Sequence, residues 1–162
     1  MFSIDSELRV SADELWRHAT TPAGVNYEMA PLLRMTFPAN VGDFATDWVP
    51  GKTLFRSWML VGGVLPVEYD DLAFVEVEPG RRFLERSKLL TQRVWQHERT
   101  LEPIDGGCRL TDRIAFEPRL GLPAGLFLPT FRLVLQHRHR RLRKRFGVFA
   151  RPAPDVAARR SR

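Results

Sequence analysis

Five residues stand out for the chemistry they could do together: Trp95, His97, Arg99, Asp112 and Arg138. Trp95, His97, Arg99 and Leu101 fall at every second position, so on an extended strand they share one face. If Gly106-Gly107 is a two-residue turn flanked by Asp105 and Cys108, Leu101 pairs with Asp112 and Arg99 with Ile114. Asp112, Ile114 and Phe116 then join the face of Trp95, His97 and Arg99, and Asp112 lies diagonal to Arg99, within reach of a long side chain. A three-residue turn would send Asp112 to the opposite face. A histidine beside a carboxylate can exchange protons with a substrate if the two are in hydrogen-bond contact and the substrate reaches them. The same residues can instead form a buried ion pair, Asp112 with Arg99 or Arg138, and a satisfied histidine, because buried charges are paired as a rule.

Arg138 belongs to the last predicted element. On a helical wheel, Ala124, Phe127, Leu128, Phe131, Leu135, Leu142 and Phe146 form one apolar stripe. Arg138 falls inside that stripe, whereas His139 and Arg145 sit at its margins and the bases from Arg140 to Lys144 point sideways or away. An arginine aimed at the core needs an anion or a carboxylate there. Pro129 kinks this helix or marks its true start, and Gly147 is its expected stop. The aromatic residues Trp58, Tyr69, Trp95 and Phe131 are candidates to line a cavity, although aromatics at strand and helix spacing most often simply fill a core.

The elements that must position these residues can be placed along the chain. Phe2 to Val10 alternates as a strand. Ser11 followed by Glu14 is a capping box ahead of a short helix, and Thr21-Pro22 opens a second. Leu33, Met35 and Phe37 alternate with polar neighbours, residues 38–52 read as a loop, and Lys52–Val61 reads as a strand ending at Gly62-Gly63. Four further strands follow, Val67–Glu78, Arg81–Leu90, Val94–Ile104 and Cys108–Glu117, joined by short turns as an antiparallel meander.

Composition limits the function classes. The chain has 162 residues, room for one domain with a real core. Its single cysteine, Cys108, excludes an intramolecular disulfide and a multi-thiolate metal site and suits a reducing, cytoplasmic setting. No basic start followed by an apolar run is present, so no signal peptide is expected, and the apolar stretches fall short of a membrane span. Neither a metal nor a cofactor is expected. The formal charge of +6 is concentrated: residues 132–162 carry eleven Arg and Lys against Asp155 alone, so the remainder is mildly acidic. The run from His137 to Arg145 could meet nucleic acid or an anionic membrane surface. Without an accompanying nucleic-acid motif it reads equally as a solvated face, and nucleic acid is not expected.

The order of elements, together with Trp95-Gln96-His97, Gly106-Gly107, Thr111-Asp112 and Arg138-His139, resembles the helix-grip superfamily of START-like and polyketide cyclase-like proteins. The resemblance is to a bacterial branch with no assigned reaction. Leu90-Thr91-Gln92 departs from the Gly-Pro step typical of its turn. The resemblance implies an α+β fold: a curved seven-stranded antiparallel sheet, two short helices and one long C-terminal helix, expected over residues 1–149; the basic tail at 150–162, with Pro, Ala, Arg and Ser and no periodicity, is expected to be mobile. It implies a hydrophobic ligand, such as a lipid, polyketide or quinone, between helix and sheet; spacing and residue type make Trp58, Tyr69, Trp95, His97, Arg99, Asp112, Phe131 and Arg138 the expected ligand-binding residues. A cyclase or dehydratase using His97 and Asp112, and a protein docking through its basic helix, remain the alternatives.

Overall fold

The computed structural model describes residues 1–46 and 48–149. Strand β1 (Phe2–Leu8) leads into helices α1 (Ala12–Ala19) and α2 (Pro22–Met29). Strands β2 (Leu33–Met35), β3 (Thr53–Val61), β4 (Leu65–Glu78), β5 (Arg82–Leu89), β6 (Gln92–Ile104) and β7 (Gly107–Pro118) follow. Two short 3₁₀ turns then lead to helix α3 (Leu128–Phe146). The seven strands form one antiparallel sheet in the order β1-β7-β6-β5-β4-β3-β2, a meander closed by the first strand. Irregularities in the β3–β4, β4–β5 and β6–β7 pairings bend the sheet. The expected tail at 150–162 lies outside the described residues.

Local chemistry explains the ends of the helices. Ser11 caps α1 by accepting from the Glu14 amide, and Thr21 caps α2 by accepting from the Gly24 amide. Pro129 stands in the first turn of α3, so it marks the helix start rather than a kink. Ala124 and Phe127 of the predicted stripe therefore precede the helix. Gly147 ends α3 at φ +77°, and its carbonyl accepts from the Arg9 amide, so the helix end is tied to the end of β1.

One correction concerns the β6–β7 turn. Its two residues are Asp105 and Gly106, not Gly106 and Gly107, so Ile104 faces Gly107 and Arg99 lies directly opposite Asp112. The turn falls one residue earlier because Gly106 takes the positive φ (+73°) and Gly107 already packs against the Leu8 carbonyl. The pairing moves by two positions in total, so the parity, and with it the face, is unchanged.

The α1–α2 corner has no spare volume. A Cβ on Gly24 would sit 1.6 Å from the His18 carbonyl oxygen. Gly24→Ala is expected to cost about 1–3 kcal/mol through forced separation of the two helices. Urea unfolding measures this, and a variant of wild-type stability would show that the corner yields freely.

Candidate functional site

Three elements on the inner side of the sheet repeat one pattern. Along β6 the inward residues run Leu101, Arg99, His97, Trp95; along β7 they run Leu110, Asp112, Ile114; along α3 they run Leu142, His139 and Arg138, Leu135. Apolar residues at one end join Leu8, Leu15, Phe74 and Phe83 in one core cluster. Those at the other end join Phe2, Leu89 and Phe131 in a second. Between the clusters lies a buried layer of charge.

Arg99 is the centre of that layer and is fully buried. Its Nε and Nη2 donate to the two oxygens of Asp112, each at 2.8 Å, while Nη1 and Nη2 donate to Glu28 at 3.0 and 3.1 Å. Arg138 donates from Nε to the same Glu28 at 2.9 Å. Glu28 is therefore the carboxylate that the inward Arg138 required. Asp112 also meets Nε2 of His97 at 3.0 Å and Nε2 of His139 at 3.1 Å. Nδ1 of His139 lies 2.8 Å from the Ser6 hydroxyl, which in turn accepts from Arg143.

Burial alone would raise the carboxyl pKa values, but the guanidiniums reverse it. Arg99 and Arg138 hold Glu28 at about 2, and Arg99 with His97 holds Asp112 well below the carboxylate range. Burial would lower His97, yet Asp112 and then Glu85, 3.4 Å from its Nδ1, raise it. Because Asp112 is ionised and accepts from Arg99, both histidine nitrogens facing it carry their hydrogens.

α2 is fixed at several points so that Glu28 meets the arginines. Asn26 pairs through its side-chain amide with both backbone groups of Met35. His137 reaches the Ala30 carbonyl at 2.9 Å, and Arg141 donates to the Tyr27 carbonyl at 3.2 Å. Arg141 also stacks on the Tyr27 ring. Arg141 and Arg143 thus fold back onto the body rather than pointing away, as their wheel positions suggested, because the phenol and hydroxyl of neighbouring elements offer partners.

Two cavities adjoin the charged layer. The larger, of about 520 Å³, opens between α3 and the β2–β3–β4 side of the sheet. Its walls are mostly apolar, including Leu33, Met59, Val67, Trp95, Phe131 and Val134, with Arg138 among them. Thr91 and Glu68 supply its other polar edge; Glu68 accepts from the Thr91 amide and hydroxyl and so braces the β5–β6 corner where a Gly-Pro step would be typical. The smaller cavity, about 70 Å³, is lined by Phe74, Phe83, Asp70, Glu85, His97 and Arg138 among others. The two share Met29, Met59, Trp95 and Arg138 as walls.

The predicted residues divide accordingly. Trp95, Phe131 and Arg138 line the larger cavity, and His97 the smaller. Arg99 and Asp112 line neither; they lie beneath, with each other and Glu28 as partners. Trp58 and Tyr69 line neither of these two cavities. They face each other across β3 and β4 on the outer side of the sheet, centroids 5.5 Å apart, because Met59 and Asp70, one position along, point inward. Arg56 covers the Tyr69 ring there. Glu28, Asp70 and Glu85 were missed. Their signals were available: Glu28 shares a helix face with Val25 and Met29, Asp70 alternates with Leu72 and Phe74, and Glu85 with Phe83. Among the described residues, no group of three His, Cys, Asp or Glu side chains is disposed to hold a metal ion, and no helix is long and apolar enough to cross a membrane.

A bent antiparallel sheet with a long helix across its hollow defines the helix-grip fold. Solved structures agree. The chain superposes on protein CV1439 of Chromobacterium violaceum with a TM-score of 0.69 at 14% identity, covering 91% of this chain and 98% of that one. For a START superfamily protein of Mycobacterium smegmatis the TM-score is 0.63 at 13% identity, covering 90% and 95%. DynU16, a protein of the dynemicin biosynthetic locus, gives 0.57 at 19% identity; 90% of this chain spans 48% of DynU16, about half its length. Residues 6–146 match the family described as a domain of unknown function, DUF8410, and the chain belongs to that family. No curated protein matches it.

Proposed function

We propose that this protein binds a small hydrophobic molecule between α3 and the sheet, as a carrier or a sequestering protein. The observation that carries the reading is the apolar opening of about 520 Å³, a volume within the range of small-molecule sites, with the guanidinium of Arg138 at its inner wall. The likeness to START-like structures supports the fold's capacity to hold such a ligand. Among the described residues the Arg138 Nη1 has no hydrogen-bond acceptor, so it is available to a polar group on the ligand.

Catalysis by His97 and Asp112 has less support. The two are in contact, but Asp112 accepts from Arg99, His97 and His139 together and is held ionised. Such a carboxylate orients its neighbours and is a weak proton acceptor. Docking through the basic helix is weakened by the engagement of Arg138, Arg141 and Arg143 within the body.

N-phenyl-1-naphthylamine, a neutral fluorescent probe, is expected to bind saturably. Val134→Trp places a large ring in the opening, which Val134 lines, and is expected to weaken the probe at least about tenfold while leaving thermal unfolding nearly unchanged. Absence of saturable binding, or binding indifferent to Val134→Trp, would remove the proposal.

A further inference from the structure

The smaller cavity has a feature the larger one lacks. Asp70 projects into it from β4, is 3% exposed, and its Oδ1 has no hydrogen-bond partner among the described residues. A buried polar atom without a partner is costly, and a polar group supplied by a ligand removes that cost. Glu85 stands on the same wall, with its own oxygens engaged by Ser87 and His97. Met29, Met59, Trp95 and Arg138 are walls of both cavities, so the two lie side by side and these side chains are what separates a molecule in the larger from the smaller.

We infer that the smaller cavity is the seat for an alcohol or phenol hydroxyl at one end of the hydrophobic molecule. The inference rests on the binding reading above and specifies its ligand. Size limits the group: about 70 Å³ has room for roughly two water-sized units, at about 30 Å³ each. Charge limits it further. A carboxylate would face Glu85 on the same wall. An ammonium would face Arg138 and His97. A hydroxyl is neutral and can donate to Asp70 Oδ1 while accepting from Arg138. Burial, reinforced by Glu85, raises Asp70 well above the usual carboxylate range, which suits a neutral partner over an ionic one.

The test uses a matched pair of probes, 2-naphthol and 2-methylnaphthalene, titrated by calorimetry into the intact protein. The methyl compound is the more hydrophobic, so an ordinary apolar cavity favours it. Wild type is expected to favour 2-naphthol by about tenfold. Asp70→Leu is expected to reverse that preference, and Asp70→Asn, which keeps an acceptor oxygen, to retain it. Thermal unfolding of both variants confirms that they fold, and the wild-type preference is informative without them. Tighter binding of 2-methylnaphthalene to wild type, or a naphthol preference that persists in Asp70→Leu, overturns the hydroxyl seat and leaves the apolar cavity standing. If neither probe binds, the cavity reading itself fails and the seat with it.

Discussion

Replacing Arg99 with leucine is expected to cost about 3–5 kcal/mol of folding stability, a large fraction of the roughly 5–15 kcal/mol that holds a domain folded. The residue is fully buried and bonded to two carboxylates that are themselves fully buried. Among the described residues, removing the guanidinium leaves Asp112 hydrogen-bonded to histidines alone and Glu28 hydrogen-bonded to Arg138, with His18 4.0 Å away. Arg99→Lys should recover little, because one ammonium cannot make two bonds to each of two carboxylates in opposite directions. The cost belongs to the orphaned charges rather than to the lost side chain. Adding Glu28→Gln and Asp112→Asn to Arg99→Leu should therefore restore part of the stability. Urea unfolding of the single and triple variants decides the matter. A single variant within about 1 kcal/mol of wild type would mean that water or rearrangement satisfies the two acids, and the charged layer would not be the structural centre of the fold.

Much of this was legible in the residues. Period-two spacing put Trp95, His97 and Arg99 on one face, and the wheel put Arg138 alone among the bases in the apolar stripe. Both follow from local geometry, which a sequence carries directly. The partner of Arg138 did not follow. Glu28 is 110 residues away on a short helix whose tilt is set by Asn26, His137 and Arg141 reaching other elements. Parity also failed to distinguish the two sides of β3 and β4. Trp58 and Tyr69 look like cavity aromatics by type, but Met59 and Asp70 take the inward positions, and only the packed sheet shows which side the helix covers. Asp70 shares its parity with Leu72 and Phe74, but its neighbour Asp71 on the other face makes the pair read as surface, and only the packed sheet shows which of the two acids is buried.

Acid should undo the same layer from the other direction. Glu28 has an ordinary pKa of 4.5 and is held at about 2 in the folded chain. A carboxyl lowered by folding contributes stability that is present above its unfolded pKa and is lost as pH falls through the folded value. A separation of that size corresponds to about 3 kcal/mol, lost between roughly pH 5 and pH 2, and Asp112 adds to the loss in the same sense. Two groups act oppositely. His97 is raised, so its contribution is complete below 6.5 and fades as pH rises through its folded value. Asp70 is raised, so it favours the folded state at low pH and opposes it increasingly above 3.8. The wild-type urea midpoint is thus expected to fall steeply below pH 5. Glu28→Gln should start lower at pH 7 and fall less steeply, since the titrating group is gone, whereas Asp70→Asn should gain at pH 7 and keep the steep acid limb. Equal acid slopes in wild type and Glu28→Gln would show that Glu28 is not held by Arg99 and Arg138 in solution, and the bridge from α2 to α3 across the hollow of the sheet would have to be abandoned.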